Sequence, residues 1–273
     1  CRVDYAFGYC RICGSGYLWM SAGYQAGSAG EISLMIDIGT NGEMVLGNRE
    51  RMVTCSTAAG PAFEGAKIEC GMRGAAGAVD HVKYEDGKWN YTTVGNKPAV
   101  GLCGSGLIDL VAGLLDAGML DENGVLRSGQ EKQGVFILVP PERGGNERGV
   151  YLTQKDLGEV QLAKAAIAAG IQMLMERLGI TEDDICSVYI AGAFGNYMDP
   201  VSAGKIGLFP ATLVKKVKPV GNAAGEGAKI ALVNEKEMLE MDELVRKIEF
   251  VELAASADFQ DHFIDELGFE TGE

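Results

Sequence analysis

The sequence is short of basic residues, histidine and long apolar runs, and each shortage closes a class of explanation. Its 24 lysines and arginines face 38 acidic residues, for a formal net charge of −14. The basic footprint that a nucleic-acid binder needs is therefore missing. Lys215, Lys216 and Lys218 make one compact basic cluster, read here as a solvated loop edge. An acidic surface of this kind suits a partner with a basic face. No apolar run approaches the roughly 20 residues that a membrane-spanning helix requires. The two histidines, His81 and His262, have no second His or Cys at ligand spacing, which argues against zinc. His262, within Asp261-His262-Phe263, reads as a surface side chain rather than a catalytic base.

Seven cysteines stand at positions 1, 10, 13, 55, 70, 103 and 186. An odd count in a chain without a signal peptide predicts reduced thiols and a cytoplasmic location. Cys1, Cys10 and Cys13 are spaced C-x8-C-x2-C, which departs from the C-x4-C-x2-C of plant-type [2Fe–2S] proteins. They are read as free thiols. A start at Cys1 rather than Met is expected of a piece of a longer protein.

Glycine is abundant. Thirty-nine glycines in 273 residues is about twice average usage, and glycine at that density suits tight turns and close approach of backbone to phosphate. Residues 1–30 are rich in Gly, Tyr, Ser and Ala without a 2- or 3.6-residue period. They read as an atypical leader, disordered or foreign to the fold. From residue 31 onward strands and helices alternate, which predicts an α/β domain over 31–269. Strands are expected at 32–38, 43–47 and 51–55, with a turn at Asn48-Arg49. A hairpin is expected around Asp86-Gly87, with strands at 81–84 and 89–94, and further strands at 187–190 and 250–253. Helices are expected at 61–69 (entered through Gly60-Pro61), 107–117, 154–178, 222–233, 235–247 and 258–267. The helix at 154–178 is the best specified: Thr153-Gln-Lys-Asp156 forms a capping-box start. Val160, Ala163, Ile167, Ile171, Leu174 and Leu178 make one stripe, and Gly179 sits at the stop.

Four glycine-rich stretches carry the candidate chemistry. Asp37-Ile38-Gly39-Thr40-Asn41-Gly42-Glu43 follows an apolar strand. Its glycines can bring N–H groups to phosphate oxygens, and Thr40 and Asn41 add side-chain donors. Asp37 suits Mg²⁺ held through water, or orientation of an attacking water. Gly101-Leu-Cys-Gly104-Ser105-Gly106 precedes a helix and could form an anion-binding helix tip. Ala191-Gly192-Ala193-Phe194-Gly195-Asn196 follows the 187–190 strand, where a flat adenine or ribose could lie against bare backbone. Gly221-Asn222-Ala223-Ala224-Gly225-Glu226-Gly227-Ala228 opens a helix with small residues. Read singly, a hairpin turn and a tight strand-to-helix connection explain the first and third equally well, and simple capping by Ser105 is the better explanation of the second. Cys103, inside the second stretch, reads as a packed small residue.

Taken in order, these stretches resemble the second half of the actin-like superfamily of kinases, chaperones and actin. DIGTNGE, CSTAAGPAFEGA (55–66), GLCGSGLIDL, AGAFGNYMDP and GNAAGEGA together resemble the C-terminal domain of the reductive activators of corrinoid proteins. The resemblance implies an actin-like, ribonuclease-H-like ATPase fold, a mixed sheet with flanking helices. It also implies ATP and Mg²⁺ as ligands, with Asp37, Gly39, Thr40, Asn41 and Gly42 as a phosphate loop. Gly104 and Ser105 would be helix-tip contacts, and Gly192, Ala193 and Gly195 would line the adenosine. The implied role is ATP-dependent reduction of a corrinoid protein from Co(II) to Co(I). The electron would come from a [2Fe–2S] ferredoxin module that these residues do not include. The family's earlier D-x-G-T loop has no counterpart in this chain, so ATP hydrolysis is expected only of a longer protein. Two alternatives stay open: a small-molecule kinase of the same superfamily, and a non-enzymatic module for homodimerisation or partner docking.

Overall fold

The computed structural model describes residues 30–127, 134–192, 197–236, 238–239, 248–254 and 256–269. The thiols Cys1, Cys10 and Cys13, the expected leader and most of the expected 235–247 helix lie outside the described residues. So do the site candidates Ala193 and Gly195.

The described residues divide into two compact units. The first gathers residues up to Thr57, those between Ala169 and Asn196, and those from Thr212 to His262. Its frame is a six-stranded sheet. β1 (Ile32–Ile38), β2 (Gly42–Gly47) and β3 (Met52–Thr57) form an antiparallel meander. The β2–β3 turn is held by Asn48, whose Oδ1 accepts from the N–H groups of Glu50 (2.9 Å) and Arg51 (3.1 Å). Two later strands, β9 (Ile185–Ala191) and β10 (Val217–Gly221), join in parallel beside β1, and β11 (Ile248–Phe250) joins in parallel beside β3. The resulting order is β10-β9-β1-β2-β3-β11. A three-strand meander extended by parallel strands on its first member is the mixed sheet of the ribonuclease-H-like, actin-type fold. Period-two alternation places Met35, Val45, Tyr189, Ala191 and Val220 in one buried cluster with Ala223.

The second unit comprises Ala58–Ala168, Tyr197–Ala211 and Phe263–Glu273. Its three-stranded sheet is built from β4 (Ala78–Glu85), β5 (Lys88–Thr93) and β6 (Gly101–Leu102), in the order β5-β4-β6. The expected turn is present, with Asp86 at φ 51° and Gly87 at φ 75°. A second hairpin pairs β7 (Val135–Val139) with β8 (Val150–Thr153). Helix α1 (Gly104–Asp116) packs on β4. Gly113 makes the close approach possible, since a Cβ there would stand 2.8 Å from the Trp89 ring. Trp89 in turn sits between Tyr84 and Phe136, with ring centroids 4.8 and 4.9 Å away.

Helix α2 (Gln154–Leu178) runs through both residue sets. The expected cap is formed. Asp156 Oδ2 accepts from the Thr153 N–H (2.9 Å) and hydroxyl (2.8 Å), and the Asp156 N–H donates to Thr153 Oγ1 at 3.2 Å. Val160, Ala163, Ile167, Ile171 and Leu174 are fully buried, and Gly179 stops the helix at φ 71°. Further helices among the described residues include α3 (Pro200–Lys205), α4 (Ala223–Val233) and α5 (Ala257–Asp265).

Four expectations are corrected. The helix at 61–69 is a single 3₁₀ turn, Ala62–Glu64, because Gly65 and Lys67 both adopt positive φ (78° and 65°) and end it. The strand placed at 250–253 lies at Ile248–Phe250. Helix α1 begins at Gly104, three residues early, because Gly106 lets its first turn close against the Val79 carbonyl. The lysine cluster is not a loop edge throughout: Lys218 belongs to β10, with Nζ 3.2 Å from Ser187 Oγ and above the Tyr189 ring.

Candidate functional site

Three parallel strands of the first unit, β1, β9 and β10, end side by side, and each runs into a glycine turn. The register pairs Asp37 with Ala191 and Ala191 with Gly221, and the Gly192 N–H donates to the Gly221 carbonyl at 2.9 Å. The carboxyl ends of parallel strands are where open α/β sheets bind ligands, because glycine turns there expose main-chain donors. Gly192 must be glycine. Its φ is +100°, and a Cβ would stand 2.6 Å from the Ile38 carbonyl oxygen and 3.1 Å from Asp37 Oδ1. The first and third glycine stretches of the sequence thus meet at backbone contact.

The β1–β2 turn is tight, with the Gly39 N–H donating to the Asn41 carbonyl at 3.0 Å. The antiparallel register places Glu43 directly opposite Asp37. Burial pushes the Asp37 carboxyl above its ordinary range. Glu43 is raised as well, first by burial and then by the Asp37 charge, while its own backbone and the side chains of Asn41 and Ser56 hold it down. Two carboxylates on facing strands repel unless a proton or cation lies between them. The donor set therefore fits a hydrated divalent cation. Glu43 was legible only as the last letter of its motif; the pairing that matters comes from the register.

The fourth stretch closes the same edge. Gly221 turns at φ 64°, and Asn222 caps α4 by accepting from the Gly225 N–H at 2.9 Å. The helix N-terminus therefore opens just after the β10 end, where unpaired amides favour an anion.

Gly104 and Ser105 belong to the second unit, in the first turn of α1. Both are buried, and Ser105 Oγ lies 3.4 Å from Cys103 Sγ. Cys103 packs as a small residue, with Sγ 3.3 Å from the Val79 carbonyl. His262 pairs with Glu176 at 3.0 Å. Among the described residues no helix is long and apolar enough to cross a membrane.

Residues 31–273 match the family described as the C-terminal domain of RACo, the ASKHA domain. The corrinoid activation enzyme RamQ of Eubacterium limosum is 37% identical over 249 residues, which cover 86% of this chain and 42% of that protein. The Co(II) methylated amine-specific corrinoid protein reductase of Methanosarcina barkeri is 30% identical over 265 residues, covering 88% of this chain and 46% of that protein. This chain therefore spans under half the length of these curated relatives. A solved structure of a reductive activator for a corrinoid, iron-sulfur protein superposes with a TM-score of 0.85 at 40% identity, covering 94% of this chain and 42% of that one.

Proposed function

Because the chain belongs to the family of the C-terminal ASKHA domain of RACo, we propose that it is the ATP-binding part of a reductive activator of corrinoid proteins. The whole protein would couple ATP to reduction of a corrinoid cobalt from Co(II) to Co(I), with the electron delivered by a [2Fe–2S] module beyond these residues. The names of the relatives support the corrinoid partner. The observation that carries the nucleotide reading is the meeting of Asp37, Gly192 and Gly221 at the ends of three parallel strands.

Each residue then has a role. The side chains of Thr40 and Asn41 would face the phosphates, with Gly39 and Gly42 shaping the turn that carries them; the Gly39 N–H itself is held by the Asn41 carbonyl. Gly192 supplies backbone without a side chain to the adenosine, and Ala193 and Gly195 would continue that surface. Asp37 would hold Mg²⁺ through water, and Glu43 opposite it adds negative charge on the same side. Bound Mg²⁺ would neutralise charge on the phosphate oxygens. Gly104 and Ser105 remain helix-tip candidates, acting through main-chain amides because both are buried.

Calorimetric titration of the chain with Mg·ATP tests the proposal. Saturable binding is expected, with Asp37→Ala weakening it by about tenfold or more, the cost of losing a charged contact. Gly192→Ala should weaken it further, since the new methyl displaces the β1 turn. Failure of the unmodified chain to bind would favour the docking-module reading instead.

A further inference from the structure

On one face of the six-stranded sheet, two consecutive rows of side chains cross β9, β1, β2 and β3. The register sets Tyr189, Met35, Val45 and Thr54 in the first row, and Ala191, Asp37, Glu43 and Ser56 in the second. Every member of the first row is at most 5% exposed. In the second row Ala191 is buried, while Asp37, Glu43 and Ser56 are half-buried. The core face therefore turns polar at a single row, beside the glycine turns. Three successive strands each contribute one polar side chain to it.

Directly opposite side chains on antiparallel strands lie within contact range, with Cβ atoms about 4.5–5.5 Å apart. Glu43 is thus flanked by a like charge on β1 and by a hydroxyl on β3. Its carboxyl accepts from the Ser56 hydroxyl and from the Asn41 side chain, which hold it down while burial and the Asp37 charge raise it. The two donors differ in where they sit. Asn41 belongs to the turn proposed to meet the phosphates, whereas Ser56 belongs to a strand paired with β2 through six consecutive residues. A carboxylate offers about four lone-pair sites, so one donated hydroxyl fixes its orientation and leaves other sites open. Without that donor, repulsion from Asp37 turns Glu43 aside.

We propose that Ser56 is a positioning residue for the cation: its hydroxyl fixes the Glu43 carboxylate opposite Asp37, so that both carboxylates meet one hydrated divalent ion. The proposal rests on the cation-site part of the nucleotide reading and extends that site from β1 and β2 to a third strand.

Mn²⁺, which suits carboxylate and water ligands as Mg²⁺ does, reports on the row directly. The electron paramagnetic resonance signal of the free ion falls as it binds, so titration gives an affinity for each variant. Ser56→Ala should weaken binding about tenfold, the usual effect of removing a group that holds a metal ligand in place. Ser56→Thr, which keeps the hydroxyl, should bind as the parent does. Ser56→Val, matched to threonine in shape, stands in for the alanine variant if that one does not fold. Thr54→Val controls for a merely structural effect: Thr54 lies one row away on the same strand, and its hydroxyl donates to the Met44 carbonyl at 2.7 Å. That variant should melt at a lower temperature with Mn²⁺ affinity unchanged. A second titration, of ATP with Mg²⁺ present or chelated, separates this proposal from the nucleotide reading. Ser56→Ala should reduce the gain in affinity that Mg²⁺ gives and leave metal-free ATP binding unchanged. A parent chain that binds Mn²⁺ but no ATP would overturn the nucleotide reading and leave the Ser56 role standing. Equal Mn²⁺ affinity in the parent and a folded Ser56→Ala would overturn the Ser56 role and leave the nucleotide reading standing. Equal losses in the alanine and threonine variants, a loss in Thr54→Val, or no Mn²⁺ binding by the parent with or without ATP would overturn it too.

Discussion

Asp37 and Glu43 show how a residue proposed to bind a cation works against the fold that carries it. Both are half-buried on facing strands, and both carboxyls are raised above their ordinary values of 3.8 and 4.5. A raised carboxyl stabilises the folded chain while it is protonated. That contribution is whole below the ordinary values and is lost as pH rises through the raised ones. At neutral pH, without a cation, the pair is therefore a local strain. Asp37→Asn keeps the shape and removes one charge, so it should raise the melting temperature of the ligand-free chain near neutral pH. The rise should be about 2–4 °C for each kcal/mol relieved, and it should vanish near pH 4, where the parent is itself protonated. Thermal melts across pH check this, and a variant no more stable than its parent at pH 7 would show that burial is not the dominant cost. The same substitution should weaken Mg·ATP binding, so stability and binding move in opposite directions.

At the scale of elements, the capped start of α2 joins two chain segments. Asp156 is fully buried, and beside the Thr153 contacts its Oδ1 accepts from the Glu69 N–H at 2.9 Å. Replacing it by alanine strands three donors, so a loss of about 2–4 kcal/mol is expected. Thr153→Ala, which removes only the hydroxyl, should cost about 1 kcal/mol. Urea unfolding of the two variants measures the difference; equal losses would mean that the Glu69 tie contributes nothing. This helix was legible because cap, stripe and stop all lie within one short stretch of sequence. The meander β1–β3 was legible for the same reason, through its alternation and its turn. β10 was hidden by Lys215, Lys216, Lys218 and Pro219, which read as loop. They are tolerated because β10 is an edge strand, where proline needs no ladder partner and lysine stems lie along the sheet. The helix expected at 61–69 failed because Gly65 and Lys67 adopt positive φ, and the backbone of Met72 packs so closely on Gly65 that a Cβ there would clash, a fit that helix propensity does not reveal. In the candidate site, Asp37 and Gly192 could be picked out as motif letters. Glu43 opposite Asp37 needed the strand register.

For the molecule as a whole, what matters is how much of a phosphoryl-transfer site lies within 273 residues. One D-x-G-T loop is present, at Asp37–Thr40, and the chain covers 42% and 46% of the length of its two curated relatives. Hydrolysis of ATP depends on surrounding the β- and γ-phosphates with oriented donors and a fixed cation, rather than on a single anchoring loop. On the proposed reading, the turn from Gly39 to Gly42 would meet the phosphates from one side, with Asp37 holding the cation. Removing even one oriented donor from a complete site costs on the order of a hundredfold in rate, so the absence of an opposing loop should leave almost none. The chain by itself is therefore expected to bind Mg·ATP without measurable turnover. Asp37→Ala should change affinity much more than any residual phosphate release. Phosphate release from the purified chain, measured beside that variant, decides the point. Turnover near 1 s⁻¹ or faster, the ordinary range of kinases, that disappears with Asp37→Ala would mean that these residues close the site unaided. The requirement for an opposing loop would then be wrong, even if the nucleotide-binding reading survived.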